Sequence, residues 1–524
     1  MPTPWSPCRA TRRGGSQSCR VTDLLAPLAS HILLSGAALA LGLAIALPLV
    51  LWSARNAAVA RIALGLAGLI QTVPALALLA LFYPVLLWLS ALAGGGIPAL
   101  GFLPAFLALA LYAVLPILRN GVAGLAGIDP AVRQAADGVG MTARQKLWLV
   151  EAPLVAPVLM AGIRTAAVWT IGAATLSTTV GQPSLGDPIF AGLQTQNWAL
   201  VLKGCAAAAG LALVADALLG LIERGVAGRR RWRIGAGLVG ILFGLALATA
   251  PMLRPAGGRV VTVGAKNFSE QFILARLIGA RLAAAGYTVH YREGLGSAVI
   301  FRALERGDID IYVDYAGTLW TNEMKRKDVP DRKAMIAAIG AWTQRSGDAR
   351  LVGPLGFENA YAFAMRGAAA KARGIATLDD LARASPELKL GSDLEFLERP
   401  EWAAVKAAYP MRFAVVRAYS PSFMYRALGD GTVDVISAFS SDGRIAADGL
   451  TVLRDSRGAI PGYDALLLVN AGRLRDRRLM DALRPLVGRI GVEPMRAANY
   501  RVDRDEAKQT PEAAAQWLAA QVAN

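Results

Sequence analysis

The side chains of this 524-residue chain that could do covalent chemistry are few, and their spacing closes most routes to it. There are two histidines, His31 and His290, and three cysteines, Cys8, Cys19 and Cys205. No Cys/His cluster has the spacing of a zinc site, and the lone His290 of the second half cannot complete a Ser-His-Asp or Cys-His set. No Gly-x-x-x-x-Gly-Lys-Ser/Thr phosphate loop occurs, so the chain carries no means of splitting ATP by itself. The reading is of a protein with no catalytic residues, no metal and no cofactor. With no cysteine beyond residue 205, no disulfide framework staples the second half.

Charge says more. Residues 1–256 hold only seven acidic side chains (Asp23, Asp129, Asp137, Glu151, Asp187, Asp216 and Glu223), and the other 31 of the 38 lie beyond. The net charge of +17 does not point to nucleic acid. Basic residues of the first half sit between apolar runs, those of the second half are interleaved with acids, and no basic patch with stacking aromatics is present. One polypeptide therefore joins a membrane-embedded half to a water-soluble one.

The first half reads as six apolar spans of about 20 residues, roughly 31–51, 62–88, 99–118, 157–180, 204–222 and 234–252. The second is long enough to tilt, or to break near Tyr83-Pro84. Arg224, Arg229–Arg231 and Arg233 mark one cytoplasmic segment, Arg119, Arg133, Arg144 and Lys146 a second, and Arg55 with Arg61 a third. Six alternating spans satisfy all three and put residues 181–203, and everything after 252, outside. The tail 1–27, with Arg9, Arg12, Arg13 and Arg20, disagrees and reads as an over-extended start or a weakly counted tail. Residues 229–250, ending Ala248-Thr249-Ala250, also fit a secretory signal peptide; an uncut sixth helix is preferred, and either exports residues 257–524.

Between the third and fourth spans runs Gln134-Ala135-Ala136-Asp137-Gly138-Val139-Gly140, then Met141 to Pro153. Its logic is a short helix, a glycine-permitted turn and a second helix, a knob that a groove on another subunit can take. It resembles the coupling loop of ABC-transporter permeases, Glu-Ala-Ala-x3-Gly-x9-Ile-x-Leu-Pro. Ala135, Ala136, Gly140 and Pro153 match, while Gln134 replaces the Glu and Val150 and Ala152 replace the Ile and Leu. The stretches Gln71–Leu78, Tyr112–Asn120 and Met160–Ala166 make residues 28–225 similar to permeases of the glycine betaine/carnitine/choline uptake family. The resemblance implies a type I ABC importer permease, a separate ATPase subunit as partner, and a homodimer in the bacterial inner membrane.

In the second half, strands at 260–264, 288–293 and 310–315 alternate with helices at 269–285 and 298–305, Ser269 being a plausible N-cap. This is an α/β pattern with ligands expected at strand C-termini. Residues 259–520 resemble the periplasmic binding proteins of the same transporters, which implies a two-lobed type II fold: lobe one 259–362 plus 465–524, lobe two 363–464, with 226–258 as sixth helix and linker. The resemblance places cage aromatics on Tyr315 (in Tyr312–Thr318), Tyr361 (in Gly356–Ala362), Tyr425 (in Phe423–Leu428) and Phe439 (in Ser437–Arg444), where the family usually has tyrosine. It puts Lys266 and Arg399 near a ligand carboxylate, with Asn359 as a weaker hydrogen-bonding candidate. Ring faces suit a trimethylammonium group, which spreads its charge over methyls and offers no N–H.

The implied function is the permease and substrate-binding subunit of an importer of quaternary ammonium compounds. Glycine betaine, proline betaine, choline, carnitine and ergothioneine are not ranked by the sequence. A membrane-tethered receptor without transport is the alternative from another class.

Overall fold

The computed structural model describes residues 24–94, 96–194, 197–250, 259–326, 328, 330–504 and 506–523. The N-terminal tail with Cys8 and Cys19, and the linker after residue 250, fall outside the described residues. Six helical segments among them are long and apolar enough to cross a membrane. They belong to α1 (Leu25–Ser53), α3 (Ala75–Leu92), α4 (Phe102–Ala126), α7 (Ala152–Ala174, continued by a 3-10 turn to Val180), α9 (Trp198–Ala227) and α10 (Arg231–Thr249). The remaining helices of this half are α2 (Ala57–Thr72), α5 (Pro130–Gly138), α6 (Ala143–Gln145) and α8 (Gly186–Gln194).

The second expected span is broken, but not where proline content in its middle suggested. Pro84 lies inside α3, and the break falls at Val73-Pro74. A residue before proline is pushed out of the helical region, and Val73 is extended (φ −71°, ψ 125°). α2 packs its Ala67 with Val50, Leu118 and Leu125, while the start of α3 packs Leu78 and Leu79 with Leu34, Ala38 and Ala105. The two therefore line opposite halves of one traverse. Small residues let backbones approach: a Cβ on Gly42 of α1 would stand 2.7 Å from that of Ala113 in α4. Between α7 and α9, Arg164 lays its guanidinium on Asp216 (2.7 and 2.9 Å) and Glu223 (2.6 Å), which keeps three charges paired within the spans.

The knob folds as its spacing implies. Asp129 caps α5, Gly140 turns the chain at φ +77°, and Thr142 and Gln145 form a capping box on α6. A π turn, Lys146–Glu151, runs into α7. Lys146 pairs with Asp137 (2.6 Å) and Arg133 with Glu151 (3.1 Å), which ties the two arms together.

The second half is two α/β lobes. Strands β1 (Arg259–Lys266), β2 (Tyr287–Leu295), β3 (Ile311–Tyr315), β4 (Ala349–Glu358), β5 (Tyr361–Arg366), β6 (Lys389–Asp393), β7 (Val415–Tyr419), β8 (Val435–Phe439), β9 (Leu450–Leu453) and β10 (Asp464–Asn470) form two five-stranded sheets. One has the order β2-β1-β3-β10-β4, the other β7-β6-β8-β5-β9. β1, β2 and β3 are parallel, as are β6, β7 and β8, and one reversed strand (β10, β5) is threaded into each sheet. α11 (Ser269–Ala284) and α12 (Ser297–Glu305) follow β1 and β2. Val261, Val263, Ile273, Ile311, Leu467 and Val469 are fully or almost fully buried, each apolar side chain contributing about 1.5–3 kcal/mol on transfer from water.

The expected Ser269 cap is absent. α11 starts at Ser269 with Phe268 in the capping position, and the serine hydroxyl instead donates to Asp503 (2.5 Å). The lobes seat on the knob-distal end of the permease. Leu100, just before α4, is buried among Ile300, Phe301 and Trp320, and Gly181 lies against Leu295.

Candidate functional site

Both sheets point the C-terminal ends of their parallel strands at one cavity of about 560 Å³. Lys266 ends β1, Tyr315 ends β3, Asp393 ends β6, Tyr419 ends β7 and Phe439 ends β8, and all five line it. β5 runs the other way, so Tyr361 reaches the same place from its first residue.

The aromatic lining is continuous from one lobe to the other. Tyr315 stacks on Phe268 (6.1 Å between centroids), whose ring lies parallel to Phe439 at 6.5 Å. Phe439 meets Tyr361 at 5.1 Å, and Tyr361 meets Tyr463 edge-on at 5.7 Å. Three of the four expected cage rings, Tyr315, Tyr361 and Phe439, are thus brought together. Tyr425 is not. It is not among the lining residues but packs into the core of lobe two with Met424, Leu428 and Ile436, covered by the Arg444 guanidinium 5.4 Å from its ring.

The two expected cations line the cavity but arrive already paired. Lys266 Nζ lies 2.5 Å from Asp314 Oδ1, both buried, and 5.4 Å from the Tyr315 ring centroid. Arg399 forks onto Glu401 (3.1 and 2.8 Å) and donates to the Tyr463 hydroxyl (3.0 Å). Tyr463 donates in turn to Glu401. Burial works against the Glu401 carboxylate, yet Arg399 holds it below the usual range.

Asn359 lines the cavity and gives its amide N–H to Glu270 (3.1 Å). Glu270 is the hub of this wall. It also accepts from the Tyr315 hydroxyl (2.6 Å) and Asn499 (2.8 Å), so a buried acid fixes a cage ring and holds the helix Val492–Asp503, while Asn499 reaches lobe two by donating to the Ser441 carbonyl (2.9 Å). Burial raises its pKa, with those donors opposing the shift. Asp503 beside it is pushed up to about 6 by burial, Arg444 pulling the other way.

Sequence reasoning missed Phe268, Glu270, Tyr419, Asp442, Tyr463, Asn499 and Asp503. Phe268 and Glu270 fall in the run Lys266–Gln271, and Asp442 in Ser437–Arg444, two to four residues from matched positions. Asn499 and Asp503 come from a helix some 230 residues beyond Glu270, with no local signal.

Residues 259–520 match the substrate binding domain of ABC-type glycine betaine transport systems, and residues 38–228 match the inner membrane component of binding-protein-dependent transport systems. The chain belongs to the betaine-type ABC importers. It is a fusion of permease and substrate-binding domain. Among relatives, it is 29% identical over 451 residues to the ergothioneine transport permease/ergothioneine binding protein of Helicobacter pylori, a match spanning 83% of this chain and 79% of that one. It is 39% identical over 202 residues to a choline transport system permease protein of Bacillus subtilis, 38% of this chain and 88% of that one. A solved glycine betaine/carnitine/choline ABC transporter structure is 29% identical, covering 49% of this chain and 96% of that one, with a TM-score of 0.44. The fold and the importer role read from the sequence are both borne out. As a member of that family it is a transporter subunit.

Proposed function

We propose that the cavity between the lobes captures a trimethylammonium compound outside the cytoplasm and passes it to the fused permease. The observation that carries this is the unbroken run of rings Tyr315–Phe268–Phe439–Tyr361–Tyr463, flanked by buried acids. Each face contributes about 0.5–2 kcal/mol to a desolvated cation, so three or four together supply roughly 1.5–8 kcal/mol before association costs, and burial of the methyl groups adds to that. Lys266, Arg399 and Asn359 shape the rim, and Tyr425 supports it from beneath.

A separate ATPase takes the knob. Ala135, Gly140 and Pro153 are exposed there while Ala136 is buried, and Val139, Trp148 and Leu149 present apolar surface at the same end. Two copies of the fusion enclose the path in the inner membrane, each with its own binder held close by the linker. The lobes' seat on the knob-distal end supports opposite sides for binder and ATPase.

A second reading keeps this mechanism with ergothioneine as cargo. It is favoured by the Helicobacter pylori relative, whose likeness runs through both halves. Calorimetric titration of the full chain with trimethylammonium compounds, ergothioneine and plain glycine tests the proposal. Binding of a methylated ammonium but not glycine, weakened in Phe439→Ala, is expected; no methylated ligand bound sinks it.

A further inference from the structure

We infer that the cleft takes a quaternary ammonium alcohol, a permanent cation carrying a hydroxyl and no carboxylate, in preference to a zwitterionic betaine. The inference rests on the trimethylammonium reading above and sharpens it.

The first observation is charge. A betaine carboxylate needs an available cation, and the two that reach the cavity from matched positions are bound to buried acids of the protein. Lys266 lies on Asp314 at 2.5 Å, with side chains 4% and 1% exposed. Arg399 lies on Glu401 at 2.8 Å, with side chains 5% and 1% exposed. Arg444, the third, donates to the Asp503 backbone carbonyl and faces the Asp442 and Asp503 carboxylates. The same wall carries four carboxylates of its own: Glu270, Asp393, Asp442 and Asp503. The donors around Glu270 (Tyr315, Asn359, Asn499 and Ser441) are all uncharged, so its negative charge is spread over hydrogen bonds but not cancelled. A ligand carboxylate would enter a cavity whose cations are committed and whose acids outnumber them, and like charges at low dielectric repel strongly. A plain cation meets the opposite field.

The second observation is an unmet acceptor. Asn359 and Asn499 both line the cavity, 7% and 4% exposed, and both turn their amide N–H groups to Glu270. Their Oδ1 atoms are buried with no donor among the described residues. A buried acceptor without a donor is costly, and a hydroxyl supplies the missing proton. A carboxylate only accepts, and a fourth methyl does neither.

The two observations separate in four ligands: choline (hydroxyl, no carboxylate), carnitine (both), glycine betaine (carboxylate only) and tetramethylammonium (neither). The experiment is calorimetry on the full chain in detergent at pH 7.5, with ergothioneine as a fifth ligand. Choline is expected to bind tightest, about tenfold or more over glycine betaine, as one mis-set charge or hydrogen bond amounts to that factor. Glu270→Gln narrows the choline to glycine betaine ratio, and Asn499→Ala narrows the choline to tetramethylammonium ratio. Glycine betaine, carnitine or ergothioneine binding as tightly as choline overturns the inference while leaving the cage intact. Tetramethylammonium matching choline overturns the donor argument. Failure of all five to bind removes the trimethylammonium reading itself. The wild-type ligand series decides the matter even where a variant does not fold.

Discussion

Tyr361 and Phe439 are direct partners across the antiparallel β5–β8 pair, their ring centroids 5.1 Å apart and their planes at 41°. Cross-strand neighbours on one face are held close by the backbone ladder itself, so these rings form a prebuilt corner. Because a preset corner costs little entropy on binding, Phe439→Ala should weaken trimethylammonium binding by about 1–2 kcal/mol, roughly 5- to 30-fold. Phe439→Tyr keeps the face and should stay within about threefold. Calorimetry on the two variants checks both, and equal losses would mean that close fit at this corner, which an added hydroxyl breaks, decides rather than the ring face.

Tyr425 makes the opposite prediction. Its ring is 5% exposed within the lobe-two core, away from the cavity lining. Tyr425→Ala should therefore cost stability, about 3–5 kcal/mol for a large buried aromatic, and lower the melting temperature. Tyr425→Phe should leave ligand affinity unchanged within about twofold. A tenfold affinity loss in the Phe variant with unchanged stability would put Tyr425 back at the ligand.

The contrast between these residues shows what the sequence could convey. Tyr315 and Phe439 were nominated by motif resemblance, and both end parallel strands, which deliver their last residue to the cleft wherever the helix after them packs. Tyr425 sits on a helix, where a rotation of 100° per residue decides between cleft and core, and a motif match does not carry that angle. The broken second span shows the same limit. Two prolines stood in one apolar run, and tertiary packing of Ile70, Val73 and Leu79 against α1 and α4 selects Pro74 as the bend. Partners of buried charge were the least legible, since Glu270 meets Asn499 only after the whole two-lobed chain has closed.

Acid should release a cationic ligand. Asp503 is held at about 6, far above the usual aspartate value of 3.8, chiefly by burial. Facing it are Arg444 and Lys508, which oppose the shift, Asp442, which reinforces it, and the Ser269 hydroxyl. As pH falls from 7.5 through 6 the carboxylate gains its proton and the cavity loses a negative charge, so affinity for choline falls. Glu270 shifts in the same direction. A drop of about three- to tenfold between pH 7.5 and 5 is expected, and Asp503→Asn should flatten it at the lower affinity. Affinity that rises on acidification would contradict the charge argument.

Coupling should be separable from capture at Gly140. The residue turns the knob at φ +77°, a conformation that costs a residue with a Cβ about 1–2 kcal/mol, and nothing within 4 Å would stop a side chain from fitting. Gly140→Val therefore acts through backbone strain alone, tilting α5 against the arm that Lys146 and Asp137 tie to it. The cleft lies at the far end of the permease, so ligand affinity should be unchanged. Ligand-stimulated ATP hydrolysis and uptake, measured in vesicles with the partner ATPase, should fall severalfold. Gly140→Asn, which tolerates the left-handed region, should restore most of both. Equal defects in the Val and Asn variants would show that the groove of the partner excludes any side chain there, and that the turn geometry is not the reason for the glycine.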